Sequence, residues 1–247
     1  QGIGSMGATP KLKKEIFQRL DKLGFSIPKM KGYDTLACIK AAEKNQIDFA
    51  FCLGGNLYGS NPDSTKTHNA LSNIDMIVYL STTLNTGHLM GRGKETIIFP
   101  VLARDEEIQM TTQESMFNYV RLSDGGFKRL KDVRSEVEII SEIGSRVVGD
   151  NNLIQWSKLK NHNTIRKMIS EIIPGFESIK HINKTGKEFH IPKRIIHDPT
   201  FPTQSGMAKF IYHTIPDLKI LNEFEFQLLS VRSEGQFNTV VYEEEDL

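Results

Sequence analysis

Two stretches decide the fold: Phe49-Ala50-Phe51-Cys52-Leu53-Gly54-Gly55-Asn56, and further on Asp75-Met76-Ile77-Val78-Tyr79-Leu80-Ser81-Thr82-Thr83. Each is a short, nearly continuous apolar run that stops at a turn of small polar residues. That is the pattern of a strand buried on both faces in a parallel sheet. Thr96 to Leu102 gives a third such run. The intervening segment opens at Asn61-Pro62 and reads as a helix through Leu71. Upstream, Asp34 can cap a helix over Thr35 to Lys44, ended by Asn45. Its Ala37, Ala41 and Ala42 allow close approach to a sheet. Strands alternating with helices imply right-handed βαβ units, hence an α/β class with a parallel, Rossmann-like sheet.

Outward from this centre, Thr9-Pro10 offers a helix start, and Leu12, Ile16, Leu20 and Leu23 recur at helical spacing until Gly24. Ser115 to Leu122 reads as an added strand, and Asp124-Gly125-Gly126 as a turn. Ser135 and Glu138 form a capping-box pattern, after which Val137, Ile140, Val147 and Val148 mark a buried helix face. Thr164 to Ile173 is a further helix, stopped by Pro174-Gly175. Phe224 to Glu244 reads as strand, turn and strand. Residues 151–200 carry nine basic and four acidic side chains while 201–247 carry three and eight, so the tail differs in character. The expected organisation is an α/β cofactor-binding domain with a helical extension over residues 1–200, and the beginning of a β-barrel domain over 201–247.

The 247 residues contain 31 Lys plus Arg against 30 Asp plus Glu. A chain this balanced has no global field with which to hold nucleic acid or an anionic membrane, so neither is expected as a partner. With 38% hydrophobic and 25% charged residues the composition is that of a globular protein. Cys38 and Cys52 are too few for a disulfide framework and sit in apolar surroundings, which points to buried free thiols and a reducing, cytoplasmic compartment. The longest apolar runs fall far short of the roughly 20 residues a bilayer span needs. Gln1 reads as a cut end and the chain as a fragment.

Two strand ends are expected to share one edge, where open α/β sheets take their ligands. Gly54-Gly55 lets a ligand approach the backbone, and Asn56 offers an amide that donates and accepts. Ser81, Thr82 and Thr83, then Asn85 and His88, follow the second strand and fall on the same edge. The alternative is plain turn chemistry, in which these side chains satisfy backbone groups. Arg104-Asp105-Glu106-Glu107 after the third strand is read as a solvent-facing charged loop. There is no dinucleotide fingerprint, no phosphate-binding loop with Gly-Lys-Ser/Thr and no nucleophile elbow. The intervals between His162, His181, His190, His197 and His213 fit no metal-ligand spacing. From the residues alone this is a ligand-binding α/β module with no catalytic group of its own.

The succession Leu53-Gly54-Gly55-Asn56, Asn61-Pro62-Asp63, Leu80 to Asn85 with His88-Leu89, Ile98-Phe99-Pro100 and Arg104 resembles the formate-dehydrogenase-like molybdopterin oxidoreductases, alpha-subunit type, of the dimethyl sulfoxide reductase superfamily. Ser115-Met116, Arg134-Ser135-Glu136, Trp156, Thr203 to Phe210, Arg232-Ser233 and Gln236 to Thr239 extend the likeness in order along essentially the whole chain. The resemblance implies a molybdenum bis(molybdopterin guanine dinucleotide) cofactor, with an iron–sulfur cluster carried by a missing upstream part. It implies that Gly54, Gly55, Asn56, Ser81, Thr82, Asn85, His88 and Glu136 line the nucleotide part of one pterin. A carboxylate such as Glu136 suits the donor edge of guanine, and amides and hydroxyls suit phosphates; Glu136 also compensates a helix dipole. No catalytic or metal-ligating residue is expected in this chain, and the isolated segment is expected to be inactive. The implied partners are the remaining domains of the same enzyme, a small-molecule substrate and an electron-transfer partner. Arg104-Asp105-Glu106-Glu107 departs from the Arg-Thr-Glu the resemblance leads one to expect. From a different class, the alternative is a free-standing nucleotide-binding or interaction module without redox activity.

Overall fold

The computed structural model describes residues 2–115, 118–192, 199–215, 217 and 221–228, and divides the chain into two units, Gln1–Pro199 and Thr200–Leu247. In the first unit a short helix α1 (Gly2–Ser5) and helices α2 (Lys14–Lys22) and α3 (Thr35–Glu43) precede the sheet. Then come β1 (Phe49–Leu53), α4 (Ser64–Ser72), β2 (Met76–Ser81), α5 (Thr86–Met90) and β3 (Glu95–Pro100). The three strands form a parallel sheet in the order β1-β2-β3, with Phe51 beside Val78 and Val78 beside Ile97. The parallel α/β reading therefore holds.

Local chemistry sets the helix starts. The Asp34 carboxylate accepts from the Ala37 amide at 2.8 Å, capping α3 as expected. For α4 the cap is Asp63 rather than Asn61: Asp63 accepts from Lys66 N at 2.8 Å, while Asn61 is used in the preceding loop, donating to the Leu57 carbonyl. α2 starts at Lys14, later than Thr9-Pro10 predicts, because the Thr9 hydroxyl turns to the Lys11 carbonyl instead of capping.

Helices α3 and α4 lie against one face of the sheet. Ile39, Ala42, Ala70, Leu71 and Ile74 pack there with Ile77 and Tyr79 of β2, and Ala50 and Cys52 of β1 join them. Among the described residues only β2 of this sheet is flanked by strands on both sides, and it is buried nearly throughout. β1 corrects the expectation of burial on both faces: Phe49, Phe51 and Leu53 are 55%, 38% and 51% exposed, since this is an edge strand with helices on one side only. The two cysteines are half-buried, and burial pushes both thiols up from their ordinary range.

A second sheet follows, antiparallel, of β4 (Thr111–Glu114), β5 (Tyr119–Ser123) and β6 (Phe189–His190). The predicted single strand over 115–122 is thus a hairpin in which Ser115 already belongs to the turn, its amide meeting the Tyr119 carbonyl. Helix α6 (Glu136–Val147) has the predicted capping box, Ser135 accepting from Glu138 N at 3.2 Å while the Glu138 carboxylate accepts from Ser135 N. Its buried positions are Ser141 and Gly144, however, and Val147 and Val148 are exposed. The reason is Trp156: its ring occupies the space a Cβ on Gly144 would need, and its carbonyl accepts from Ser141 Oγ.

Helix α7 (His162–Ile172) ends before Pro174 and a short α8 (Ile182–Thr185) follows. Ile16 of α2, Val120 of β5, and Ile173, Phe176, Ile179, Ile182 and Ile191 form a second core. A polar knot ties α7 to β4: Arg166 donates to the Met110 carbonyl at 3.1 Å, and Gln109 accepts from His162 N at 3.0 Å. Glu107 is buried beside His162, Oε2 to Nε2 3.7 Å, which corrects the solvent-facing reading of this part of the charged loop.

In the second unit the described residues 200–228 form turns at Thr203–Gly206 and Asn222–Glu225 and no strand. Of the expected strand, turn and strand, Phe224–Leu228 is in turn and irregular backbone, and 229–244 lie outside the described residues. Among the described residues no helix is long and apolar enough to cross a membrane.

Candidate functional site

The carboxyl edge of the parallel sheet is assembled from four chain segments in lateral order. Gly54 N donates to the Leu80 carbonyl at 2.8 Å, Val101 N donates to the Ser81 carbonyl at 3.1 Å, and Leu102 N donates to the Arg134 carbonyl at 3.0 Å. The turns after β1 and β2 are therefore neighbours, and the segment leading into α6 is bonded beyond β3, with Glu136 as the first residue of that helix.

Gly54 and Gly55 both have positive φ, +64° and +73°, with open space where a Cβ would stand. Positive φ at two consecutive residues makes a sharp turn that glycine adopts without steric cost. The amides of Gly55, Asn56 and Thr82 meet no protein acceptor among the described residues.

The side chains do something else. Asn56 Oδ1 accepts from Gly59 N at 2.8 Å and its Nδ2 donates to Thr86 Oγ1 at 2.9 Å. Asn85 Nδ2 donates to the Gly55 carbonyl at 3.1 Å, and its Oδ1 accepts from Gly87 N at 2.9 Å as the cap of α5. His88 completes that cap, Nδ1 accepting from Asn85 N at 2.9 Å, and is buried with its ring edge-on to Tyr79 at 5.0 Å. Ser81 Oγ donates to the Thr83 carbonyl at 2.7 Å. Asn56 and Asn85 thus form a clasp between the two loops, holding the glycine turn in place, while Ser81 and His88 bond within the segment that follows β2. Thr82 is exposed at the end of β2.

Glu136 is half-buried, and burial pushes its carboxyl up from the usual carboxylate range. A partly desolvated acid at a helix start is suited to accept from a donor pair such as a purine edge. Further along the rim, Arg129 binds Glu106 at 2.8 Å and Asp105 at 3.1 Å, and holds the Glu106 carboxyl below its ordinary range. Among the described residues no group of three His, Cys, Asp or Glu is placed to hold a metal.

The structure adds residues that the sequence did not single out. Thr86 receives the Asn56 amide, and Gly59 and Gly87 make room for it: a Cβ on Gly59 would stand 2.7 Å from Asn56 Nδ2, and one on Gly87 would overlap Asn56 Oδ1. Tyr79 is buried at the base, its hydroxyl donating to the Gly91 carbonyl at 2.5 Å and its pKa pushed up to about 12, chiefly by burial. A readable signal existed for α5 alone: Asn85 and His88 stand at capping-box spacing.

No family model matches the chain. It is similar to proteins named "Uncharacterized oxidoreductase" from Mycobacterium tuberculosis and Mycobacterium bovis, 29% identical over 251 residues that cover 98% of this chain and 32% of theirs. It is also similar to "Protein YdeP" of Escherichia coli, 26% identical over 257 residues, covering all of this chain and 34% of the relative. The chain thus spans about a third of the length of the curated relatives it matches.

Proposed function

We propose that this chain is the nucleotide-gripping part of a larger oxidoreductase of the formate-dehydrogenase-like type, holding one molybdopterin guanine dinucleotide at the carboxyl edge of its parallel sheet. The observation that carries the reading is the Gly54-Gly55 turn with the Gly55 and Asn56 amides open, locked to the β2 loop by Asn56 and Asn85. The relatives named oxidoreductase support the redox class. The residues present fit the nucleotide end of such a group: open amides of Gly55, Asn56 and Thr82 for phosphate oxygens, and the half-buried Glu136 for a guanine edge.

When bound, the molybdenum group would supply two-electron oxidation of a small substrate, with an iron–sulfur cluster elsewhere in the protein delivering electrons to an acceptor. This chain's part is to bind and orient. The open amides offer phosphate oxygens donors without a mobile cationic side chain. The Asn56 and Asn85 bonds fix the loop that presents those donors, so ordering entropy is spent on folding rather than on binding.

The test uses the full-length gene product, purified from cells supplied with molybdate. Wild type should retain molybdenum and guanine-bearing pterin, and Asn85→Ala should lose most of both while keeping its helical circular dichroism. A wild-type protein free of molybdenum and pterin overturns the reading, as does an Asn85→Ala variant with unchanged content.

A further inference from the structure

We infer that His88 is a positioning residue for the carboxyl edge, and that a proton taken up on its Nδ1 opens the cap of α5 and loosens the Gly54-Gly55 turn. The argument begins with which ring nitrogen carries hydrogen. His88 Nδ1 lies 2.9 Å from Asn85 N, and a backbone N–H can only donate, so Nδ1 is a bare acceptor and the neutral ring keeps its hydrogen on Nε2. Histidine thus fills the third helical position of a capping box, where glutamate or glutamine is usual. Unlike glutamine, it can exchange that acceptor for a donor.

A proton on Nδ1 sets one N–H against another. The Asn85 amide loses its acceptor, and a charged ring stands at a position only 6% exposed. Nothing beside it offsets the charge. The ring packs edge-on to Tyr79 of β2, a phenol that stays neutral because burial raises its pKa to about 12. His68 of α4 is engaged at the far end of α5, its Nδ1 on the Met90 carbonyl. Among the described residues the one histidine paired with a carboxylate is His162, not His88.

Asn85 connects this proton to the edge. As the cap residue it accepts from Gly87 N at 2.9 Å, and its Nδ2 donates to the Gly55 carbonyl at 3.1 Å, which together with the Asn56–Thr86 bond clasps the turn. The amides left open there belong to Gly55 and Asn56. Losing the cap therefore frees the side chain that holds them in place. The device depends on this geometry alone; only its consequence, release of an anionic ligand in acid, rests on the function proposed above.

The test is hydrogen exchange in the full-length protein, resolved to single amides at about pH 8 and about pH 5, the range in which histidine ordinarily titrates, and corrected for the intrinsic pH dependence of exchange. In wild type, protection of the Asn85 and Gly87 amides should fall at least about five-fold at the lower pH, while Val78 and Leu80 of β2 stay within about two-fold. His88→Gln supplies the same acceptor without a titrating group, so its protection should match wild type at the higher pH and hold at the lower. Wild-type protection that does not change overturns the inference, as does an acid-induced loss that persists in His88→Gln or extends equally to β2. Selective 15N-histidine labelling of wild type gives a check that needs no variant. His88 should be the Nε2–H tautomer at the higher pH and gain its Nδ1 proton in step with the loss at Asn85; an Nδ1–H tautomer there overturns the inference. Bound molybdenum enters neither readout, so the proposed function can fail while this inference stands.

Discussion

The clasp between the two strand-end loops can be measured by a double-mutant cycle on Asn56 and Gly87. Asn56→Ala removes two hydrogen bonds, from Gly59 N and to Thr86 Oγ1. Both are at an exposed site, so each contributes toward the lower part of the usual range and the loss is about 1.5 kcal/mol. Gly87→Ala puts a methyl group where the Asn56 carboxamide stands, and the far end of that side chain is the group that gives way. The variant loses the same two bonds but gains about 0.5–1 kcal/mol of helix propensity, for a net cost of about 0.8 kcal/mol. In the double variant the Asn56 carboxamide is already gone and the methyl's remaining close neighbour is Asn85 Oδ1 at 3.0 Å, which need give by only a few tenths of an ångström. Gly87→Ala should then stabilise the Asn56→Ala protein by its propensity gain. The coupling is about 1.5 kcal/mol, well beyond the few tenths expected of independent sites. The assay is native-state hydrogen exchange of amides in β1, β2 and α5, read as local opening free energies. Additive effects within about 0.5 kcal/mol would refute the clasp, because the two positions would then not share one interaction.

Tyr79 makes a pH prediction. Its folded pKa of about 12 lies above the ordinary 10.0, so the neutral phenol is favoured in the folded state. The stability it contributes is fully present below pH 10 and is lost as pH rises through about 12; urea midpoints should fall across that window in wild type and much less in Tyr79→Phe. Glu136 makes the converse test of site against structure. Its raised carboxyl pKa means stability is highest at low pH and falls as pH rises through the folded value, so Glu136→Gln should be at least as stable as wild type at neutral pH while the full-length protein retains less guanine-bearing pterin. A Gln variant less stable than wild type would assign Glu136 a purely structural helix-start role. Phe51→Asp sets a charge beside the buried Val78 and should lower the urea midpoint of the full-length protein. A soluble variant with unchanged midpoint would mean that Phe51 stays in water.

The strands were legible because composition alone separates them: β1, β2 and β3 are apolar runs of strand length bounded by turn residues, and no tertiary knowledge is needed to find them. Burial was less legible. Phe51 and Val78 look alike in sequence and are register neighbours, yet one is 38% exposed and the other 7%, since burial depends on what lies across the sheet. The inner face of α6 was misread for a related reason. Val147 and Val148 are the hydrophobic choice, but Gly144 has the room for Trp156, and a glycine's packing role is set by its neighbour's shape. At the edge, sequence named the two strand-end turns that the structure brings side by side. It could not assign the roles of their side chains, because an Asn that binds a ligand and an Asn that ties one loop to another present the same donors and acceptors.

Strands that advance in one direction place every crossover helix on one face; on the other, Phe49 and Phe99 of the outer strands are half-exposed while Val78 and Leu80 of β2 are buried. The same parallel order brings all three strand ends to one edge, where the chain must turn away and its amides lose their ladder partners. Because Gly54 and Gly55 have no side chains and Asn56 and Asn85 spend theirs on the clasp, what remains there for an anion is neutral and fixed. If the edge takes an anion as proposed, it would select by geometry rather than by field, in keeping with the chain's near-balanced charge, and affinity should depend only weakly on ionic strength. The β1 turn can hold its amides in register only as firmly as β1 itself is held, and β1 has a partner strand on one side and helices on one face alone.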